Sequence, residues 1–428
     1  MQVEINPDRS LWPELLKRPE SDVSDLYNMV EGVLNDISSL GDKALKSYTK
    51  KFDGIELDSF EVTEKEIADA CMEVSNELKD AIYKAKLNIE SFHTSQLISV
   101  NKVETQPGVV CWQKPVGISK VGLYIPGGTA PLFSTVLMLA IPAKIAGCKE
   151  IVMCTPPDKE GRINPVILYA ASLVGVTRIY KLGGVQAIGA MAYGTESVPK
   201  VYKIFGPGNR YVTAAKQLVS LKDVAIDMPA GPSEVLVMAD ESANASFVAS
   251  DLLSQAEHGI DSQVIFLTNN QQLLDEVGKE VIKLLEMLPR KETAKKALEN
   301  SKSILLDDID EMVEMSNEYA PEHLIMSVKN AEQVSEKIIN AGSVFLGNYT
   351  PESAGDYASG TNHTLPTHGY AKAYSGVNLD SFIRKITFQE ISASGLKTLG
   401  PVIERMAAAE LLDAHKNAVT LRLNKINS

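Results

Sequence analysis

Two pairs of side chains in this sequence have types and spacings that could do chemistry. In the run DLLSQAEHGID, residues 251–261, Gln255 and His258 stand three apart. Leu252, Leu253 and Ala256 give that run a helical apolar face, and Gly259 is placed as a C-cap glycine. Three apart on a helix is one face, so an amide oxygen and an imidazole can aim at one point. That point lies near a helix C-terminus, whose partial negative charge favours a cation. The pair reads as half of a metal site or, alternatively, as a capping histidine beside a polar glutamine. The second pair is Glu322 and His323 in APEHL, residues 320–324. Following Pro321 and preceding an apolar run, they project into a loop. Their different proton affinities suit general acid/base work. A solvated glutamate beside a packed histidine is the plainer alternative.

The elements that must position these groups show in the spacing of apolar residues. Residues 1 to about 100 read as helical. In 24–39 the apolar positions Leu26, Met29, Val30, Val33, Leu34 and Ile37 follow a helix period. Thr63 to Glu66 forms a capping box for a helix from 64 to about 91. From Val121 onward, short apolar strands alternate with helices, which predicts a parallel sheet covered by helices. Three of these strands run into Gly127-Gly128, Gly183-Gly184 and Gly206-Pro207-Gly208-Asn209, each opening a helix. Glycine turns at helix N-termini bind anions such as a pyrophosphate. Three at one end of a sheet point to a ligand crevice at the strand C-termini, although no strict G-x-G-x-x-G is present. A second alternating set starts at Glu234. Residues 348–374 form a long Gly-, Ser-, Thr- and Tyr-rich segment holding Asp356, His363 and His368, which reads as a functional loop.

Composition narrows the function. The chain has 428 residues, 44% hydrophobic and 23% charged, and a net charge of −13. Such acidity argues against nucleic acid or an anionic membrane as the main partner. No apolar run reaches the ~18 residues of a membrane span. The polar start MQVEINPDRS does not read as a signal peptide, and Cys71, Cys111, Cys148 and Cys154 form no C-x-x-C pair. A cytoplasmic protein with reduced thiols is expected. Cys111 and Cys148 lack a neighbouring histidine, which argues against a thiol mechanism.

Seven runs appear in the order found in the histidinol dehydrogenase family: GLYIPGG (122–128), FGPGN (205–209), DMPAGPSE (227–234), LLSQAEHG (252–259), APEHL (320–324), ITFQE (386–390) and AHKNAVTLR (414–422). The resemblance spans about Trp112 to Leu423. It implies oxidation of L-histidinol to L-histidinal and then L-histidine, with two NAD+ and one Zn2+ per subunit. By motif, the zinc ligands would be Gln255, His258, Asp356 and His415. Glu322 and His323 would be the acid/base pair: His323 takes protons in both oxidations, and Glu322 activates water. The implied substrate contacts are Ser233, Gln255, His258, His323, Asp356, Glu410 and His415, with His363 a further candidate. Tyr124, Gln186 and Asn209 would contact NAD.

The expected fold is α/β, with two incomplete Rossmann-like parallel-sheet units, a helical N-terminal segment and a small C-terminal extension. The expected domains are an arm (1–24), a metal and acid/base domain (25–121 with 235–375), a nucleotide-binding domain (122–234) and a dimer-swapped segment (376–428). Glu410 and His415 are five apart, about 140° round a continuous helix. Either the helix breaks between them or they serve different subunits of the intertwined homodimer that the family forms. A related zinc-dependent dehydrogenase of another amino alcohol, a zinc hydrolase and a non-catalytic binding protein are the competing readings.

Overall fold

In the computed structural model, which describes residues 1–19, 24–127, 130–228 and 231–428, apolar runs become strands buried along their whole length. That is what a parallel sheet covered on both faces requires. Gly128 of the first glycine turn lies outside the described residues, as do Pro229 and Ala230 of DMPAGPSE.

The strands in chain order are β1 (Gln2–Ile5), β2 (Lys102–Gln106), β3 (Val109–Gly117), β4 (Lys120–Tyr124), β5 (Glu150–Thr155), β6 (Arg178–Lys181) and β7 (Lys203–Phe205). After them come β8 (Ala225–Ile226), β9 (Glu234–Ala239), β10 (Gln263–Thr268), β11 (Lys302–Leu305), β12 (His323–Ser327), β13 (Ser343–Leu346) and β14 (Ile383–Ile391). One parallel sheet has the order β6-β5-β4-β7-β8, and the other β1-β11-β10-β9-β12-β13. Without β1, both sheets follow the same winding order, third-second-first-fourth-fifth.

The chain divides into a large unit, residues 1–96 with 118–382, and a small one, 97–117 with 383–428. This differs from the expected domains in three ways. The N-terminal arm is not separate, because β1 adds a strand to the six-stranded sheet beside β11. The helices of residues 24–94 cover the five-stranded sheet rather than the acid/base sheet. Val30, Val33, Leu34 and Ile37 pack with Ile188 and Met191, and Ile82, Ala85 and Ile89 pack with Val121, Leu123 and Leu137. Their apolar stripes need a sheet face, and the five-stranded sheet supplies it. Residues 97–117 belong with the C-terminal segment, since β3 pairs antiparallel with β14 along its whole length and Trp112 stacks on Phe388 at 5.4 Å.

Some helices differ from expectation as well. The helix from Glu64 stops at Glu73, and Ser75 caps a new one, Asn76–Thr94. In the small unit the helix Ala393–Ala409 ends before Leu411, which takes a left-handed φ of 59°, and Asp413–Asn427 follows. The helix therefore breaks between Glu410 and His415.

Candidate active site

The two sheets gather their candidate site residues at opposite ends of their strands. In the five-stranded sheet, Tyr124, Gly127, Thr155, Gly183, Gly184, Gln186 and Asn209 follow or end strands at their C-terminal side and line a cavity of about 1040 Å3. The glycines are there for room. A Cβ on Gly206 would collide with the carbonyl oxygen of Tyr124, and one on Gly183 would stand 2.7 Å from Pro156. Three residues expected to meet the cofactor are thus brought to one cavity. Tyr124 accepts at its hydroxyl from the Gly184 N–H at 3.0 Å. Gln186 donates to Asp53 Oδ2 at 3.0 Å, and its amide oxygen is buried without a partner. Asn209 caps the helix Arg210–Ser220 through the N–H groups of Tyr211 and Val212. The turn behind it is fixed by a buried pair: Lys216 Nζ lies 2.5 Å from Asp227 Oδ1 and donates to the Gly206 carbonyl, while Asp227 Oδ2 accepts from Gly206 N–H.

In the six-stranded sheet the titratable groups gather at the N-terminal ends of the strands. His323 opens β12, paired with Val235 of β9 and Ser343 of β13. The helix Ala245–Ala256 follows β9 and runs back against the sheet, so its C-terminus arrives at the same end. It delivers Gln255 in its last turn and His258 just beyond, where His258 N–H bonds to the Gln255 carbonyl at 3.2 Å. Gly259 does not take the left-handed conformation expected of a C-cap glycine; its carbonyl instead accepts from Ser262 N–H.

His323 is 3% exposed and is held between carboxylates. Its Nδ1 lies 3.7 Å from Glu322 Oε2 and 3.8 Å from Glu352 Oε1, and its Nε2 lies 3.6 Å from Asp356 Oδ1. These separations are too long for hydrogen bonds, and both ring nitrogens are buried without one. Burial alone would lower the proton affinity of His323, but the facing Glu352, Glu322 and Asp356 raise it. Burial pushes the carboxyl of Glu322 up to about 7 and that of Glu352 up to about 8. Groups that exchange protons near neutrality suit general acid/base work, which favours the functional reading of the pair.

Ligand atoms of His323, Glu352 and Asp356 lie within 4.8 Å of one another, a separation that one metal ion could bridge. This trio is not the set expected from the sequence. Asp356 is common to both. Glu352 was not singled out, although it precedes Asp356 by four residues in Glu-Ser-Ala-Gly-Asp, and the two share a face of the helix Glu352–Tyr357. In the amide orientation that satisfies both neighbours, Gln255 donates to Glu352 Oε1 at 2.5 Å and accepts from Glu234 N–H at 2.7 Å. Its oxygen thereby accepts one hydrogen bond and keeps a second lone pair. His258 stands at the exposed rim; crowding by protein around its ring lowers its proton affinity and Asp356 opposes this, so a neutral, metal-ready imidazole is favoured. Ser233 immediately precedes Glu234 at the start of β9.

Glu410 and His415 belong to the small unit, where both are exposed. His363 ties the segment after the Glu352–Tyr357 helix to a helix packed on the five-stranded sheet. Its Nδ1 donates to the Asp356 carbonyl at 2.9 Å, which leaves Nε2 to accept from Thr135 Oγ1 at 3.1 Å, on the helix Phe133–Ile145 of the five-stranded sheet. Cys148 is no nucleophile, since burial holds its thiol up to about 12.

The cluster gathers three buried carboxyl groups around one histidine. Among the described residues, no Lys or Arg pairs with Glu322, Glu352 or Asp356. Unpartnered buried atoms on His323 and Glu352, beside a carboxylate and a neutral imidazole, fit a divalent cation. No helix among the described residues is long and apolar enough to cross a membrane.

The family model of histidinol dehydrogenase matches residues 16–423. A histidinol dehydrogenase of Bacteroides thetaiotaomicron is 66% identical over 420 residues, covering 98% of each chain. That of Escherichia coli K12 is 54% identical over 416 residues, covering 96% of this chain and 95% of its own. The crystal structure of histidinol dehydrogenase from Elizabethkingia anophelis is 58% identical with a TM-score of 0.98, covering 100% of this chain and 99% of its own.

Proposed function

The chain belongs to the histidinol dehydrogenase family of oxidoreductases, and on that premise we propose that it oxidises L-histidinol to L-histidine through L-histidinal, with NAD+ and zinc. The observation that carries this reading is His323, buried among three carboxylates at the strand starts of one sheet, in a chain whose other sheet carries a glycine-lined cavity at its strand ends. We read both sheets as incomplete Rossmann-like units, with Tyr124, Gln186 and Asn209 holding the dinucleotide in the 1040 Å3 cavity.

Bound NAD+ supplies the hydride acceptor, and bound zinc a Lewis acid that orients the substrate's polar groups. Gln255, His258 and Asp356 hold the metal together with His415, and Glu352 steadies Gln255 from behind. Ser233, Glu410 and the ligand side chains orient the substrate. The carboxylates around the ring of His323 hold a proton on it when no cation is present; a bound cation would offset their charge, and the neutral ring would then accept the hydroxyl proton in the first oxidation. Glu322 takes a proton from the water that adds to the aldehyde, and His323 accepts a proton again as the hydrate is oxidised. Glu410 and His415 reach the site from a second copy of the chain. The exposed apolar side chains of the small unit, among them Val402, Met406, Leu412 and Leu421, are what a subunit interface would cover.

The test is NADH formation by the purified protein with L-histidinol and NAD+. Two NADH per histidine, lost on chelation and restored by zinc, are expected. Absence of histidinol-dependent NADH would overturn the reading. A zinc hydrolase built on the same cluster would leave the glycine-lined cavity without a use.

A further inference from the structure

Glu322 is held by something less obvious than its neighbours in the cluster. Its Oε2 accepts a hydrogen bond from the backbone N–H of Glu234 at 2.9 Å. The same N–H faces the amide oxygen of Gln255 at 2.7 Å. The first peptide of β9 is therefore the point from which both side chains are set. What fixes that peptide is the side chain of its own residue. Glu234 is 2% exposed, and Arg18 grips it with two hydrogen bonds, Nε to Oε2 at 2.6 Å and Nη2 to Oε1 at 2.8 Å. The guanidinium is itself fixed: Nη2 donates to the Tyr319 carbonyl at 2.7 Å, and its plane lies 4.0 Å over the Tyr319 ring. Tyr319 in turn donates its hydroxyl to Gln263 at 2.9 Å.

We propose that Arg18 is a positioning residue for Glu322, acting through the clamped side chain and the backbone N–H of Glu234. The inference rests on the acid/base role given to Glu322 above. Two parallel hydrogen bonds from a planar guanidinium fix direction as well as distance, which a single ammonium cannot do. The clamp spans 216 residues of sequence, from the N-terminal segment to the start of β9. Among the described residues, Arg18 bonds to Glu234 and to the Tyr319 and Ala320 carbonyls, none of them a proposed substrate contact. An acid/base carboxylate displaced by a fraction of an ångström loses its reacting geometry without losing its fold.

The experiment compares zinc-loaded wild type, Arg18→Met, Arg18→Lys, Glu322→Gln and the double variant Arg18→Met with Glu322→Gln. Arg18→Met is expected to lower kcat about 10- to 100-fold, with KM for histidinol and zinc content within about 2-fold of wild type. Arg18→Lys should lose about 3- to 10-fold, because it keeps the charge but not the fork. In the Glu322→Gln background Arg18→Met should change kcat by less than about 2-fold, since the group it positions has already been removed. An equal loss in both backgrounds means that Arg18 is merely structural, and unchanged kcat in both arginine variants overturns the proposal outright. If Arg18→Met does not fold, Arg18→Lys in the two backgrounds decides the matter. A wild type without histidinol-dependent NADH, or a Glu322→Gln variant with full kcat, would instead sink the functional reading beneath it.

Discussion

Gly342 and Glu322 are so close that a Cβ on Gly342 would stand 2.5 Å from the Glu322 carbonyl oxygen. The approach is tied down on both sides, because Gly342 N–H donates to the Pro321 carbonyl and Ser343 N–H to that of Glu322, each at 2.9 Å. Gly342→Ala must therefore displace the backbone of Glu322, the proposed acid/base residue. A loss of about 10- to 100-fold in kcat is expected, with the protein still folded. Steady-state kinetics with a thermal melt checks it, and full activity would show that the backbone of Glu322 need not be held in place.

His323 lies in a metal-sized trio with Glu352 and Asp356, yet its proposed work is proton transfer. His323→Ala should lower kcat by about 10²- to 10⁴-fold while the protein retains its zinc. Metal analysis after desalting decides between the two roles. Loss of zinc along with activity would make His323 a ligand.

If Glu410 and His415 act in a partner's site, complementation follows from symmetry. In a dimer of one His323→Ala and one His415→Ala chain, one site carries both substitutions and the other neither. Random pairing makes half of the dimers mixed, so co-expression should give about a quarter of wild-type activity. Activity no higher than that of the single variants would place His415 in the site of its own chain.

The metal-free protein should lose stability as pH rises. Glu322 and Glu352 have carboxyls raised from 4.5 to about 7 and about 8, and His323 is raised above 6.5. In each case the fold binds more protons than the unfolded chain between the two values. The stabilisation is full below the unfolded value and fades as pH climbs through the folded one. Asp356, lowered below 3.8, contributes the opposite trend only in acid. The melting temperature of chelator-treated protein should therefore fall from about pH 6 to about pH 9, and zinc should raise it most at the alkaline end. A flat profile would mean that these groups do not titrate with folding.

Lys216 and Asp227 form an ion pair with side chains 7% and 2% exposed. Lys216→Met leaves a buried carboxylate unpaired, at a cost of about 3–5 kcal/mol. It also frees the Gly206 carbonyl that shapes the Asn209 turn. A lower melting temperature and a higher KM for NAD+ are expected together. An unchanged KM at reduced stability would separate this pair from cofactor binding.

The parallel sheets were legible because their strands are short, apolar and set off by glycine turns, and Gln255–His258 and Glu322–His323 were legible as adjacent side chains. Other features had no local signal. β1 is QVEI, and its place in the sheet depends on pairing with β11, three hundred residues away. The helix pattern of residues 24–94 is amphipathic but does not say which sheet it covers. Glu352 could have been found from its i, i+4 relation to Asp356. Arg18 could not: one of two adjacent basic residues before Pro19, it gains its meaning only when Glu234 arrives beside it.

The common winding order of the two sheets, worked from opposite strand ends, has a historical consequence. A repeated plan was not used twice for one job. In the proposed function the five-stranded sheet keeps the carboxyl ends of its strands for a nucleotide, as open sheets do. In the six-stranded sheet, the matching ends are stapled shut: Asp240, just after β9, accepts from the N–H groups of Ser242 and Lys329. The proposed chemistry lies at the other pole of that sheet, where helix ends and strand starts converge. Descendants of such a fold can change substrate at one pole without disturbing how the other holds its cofactor.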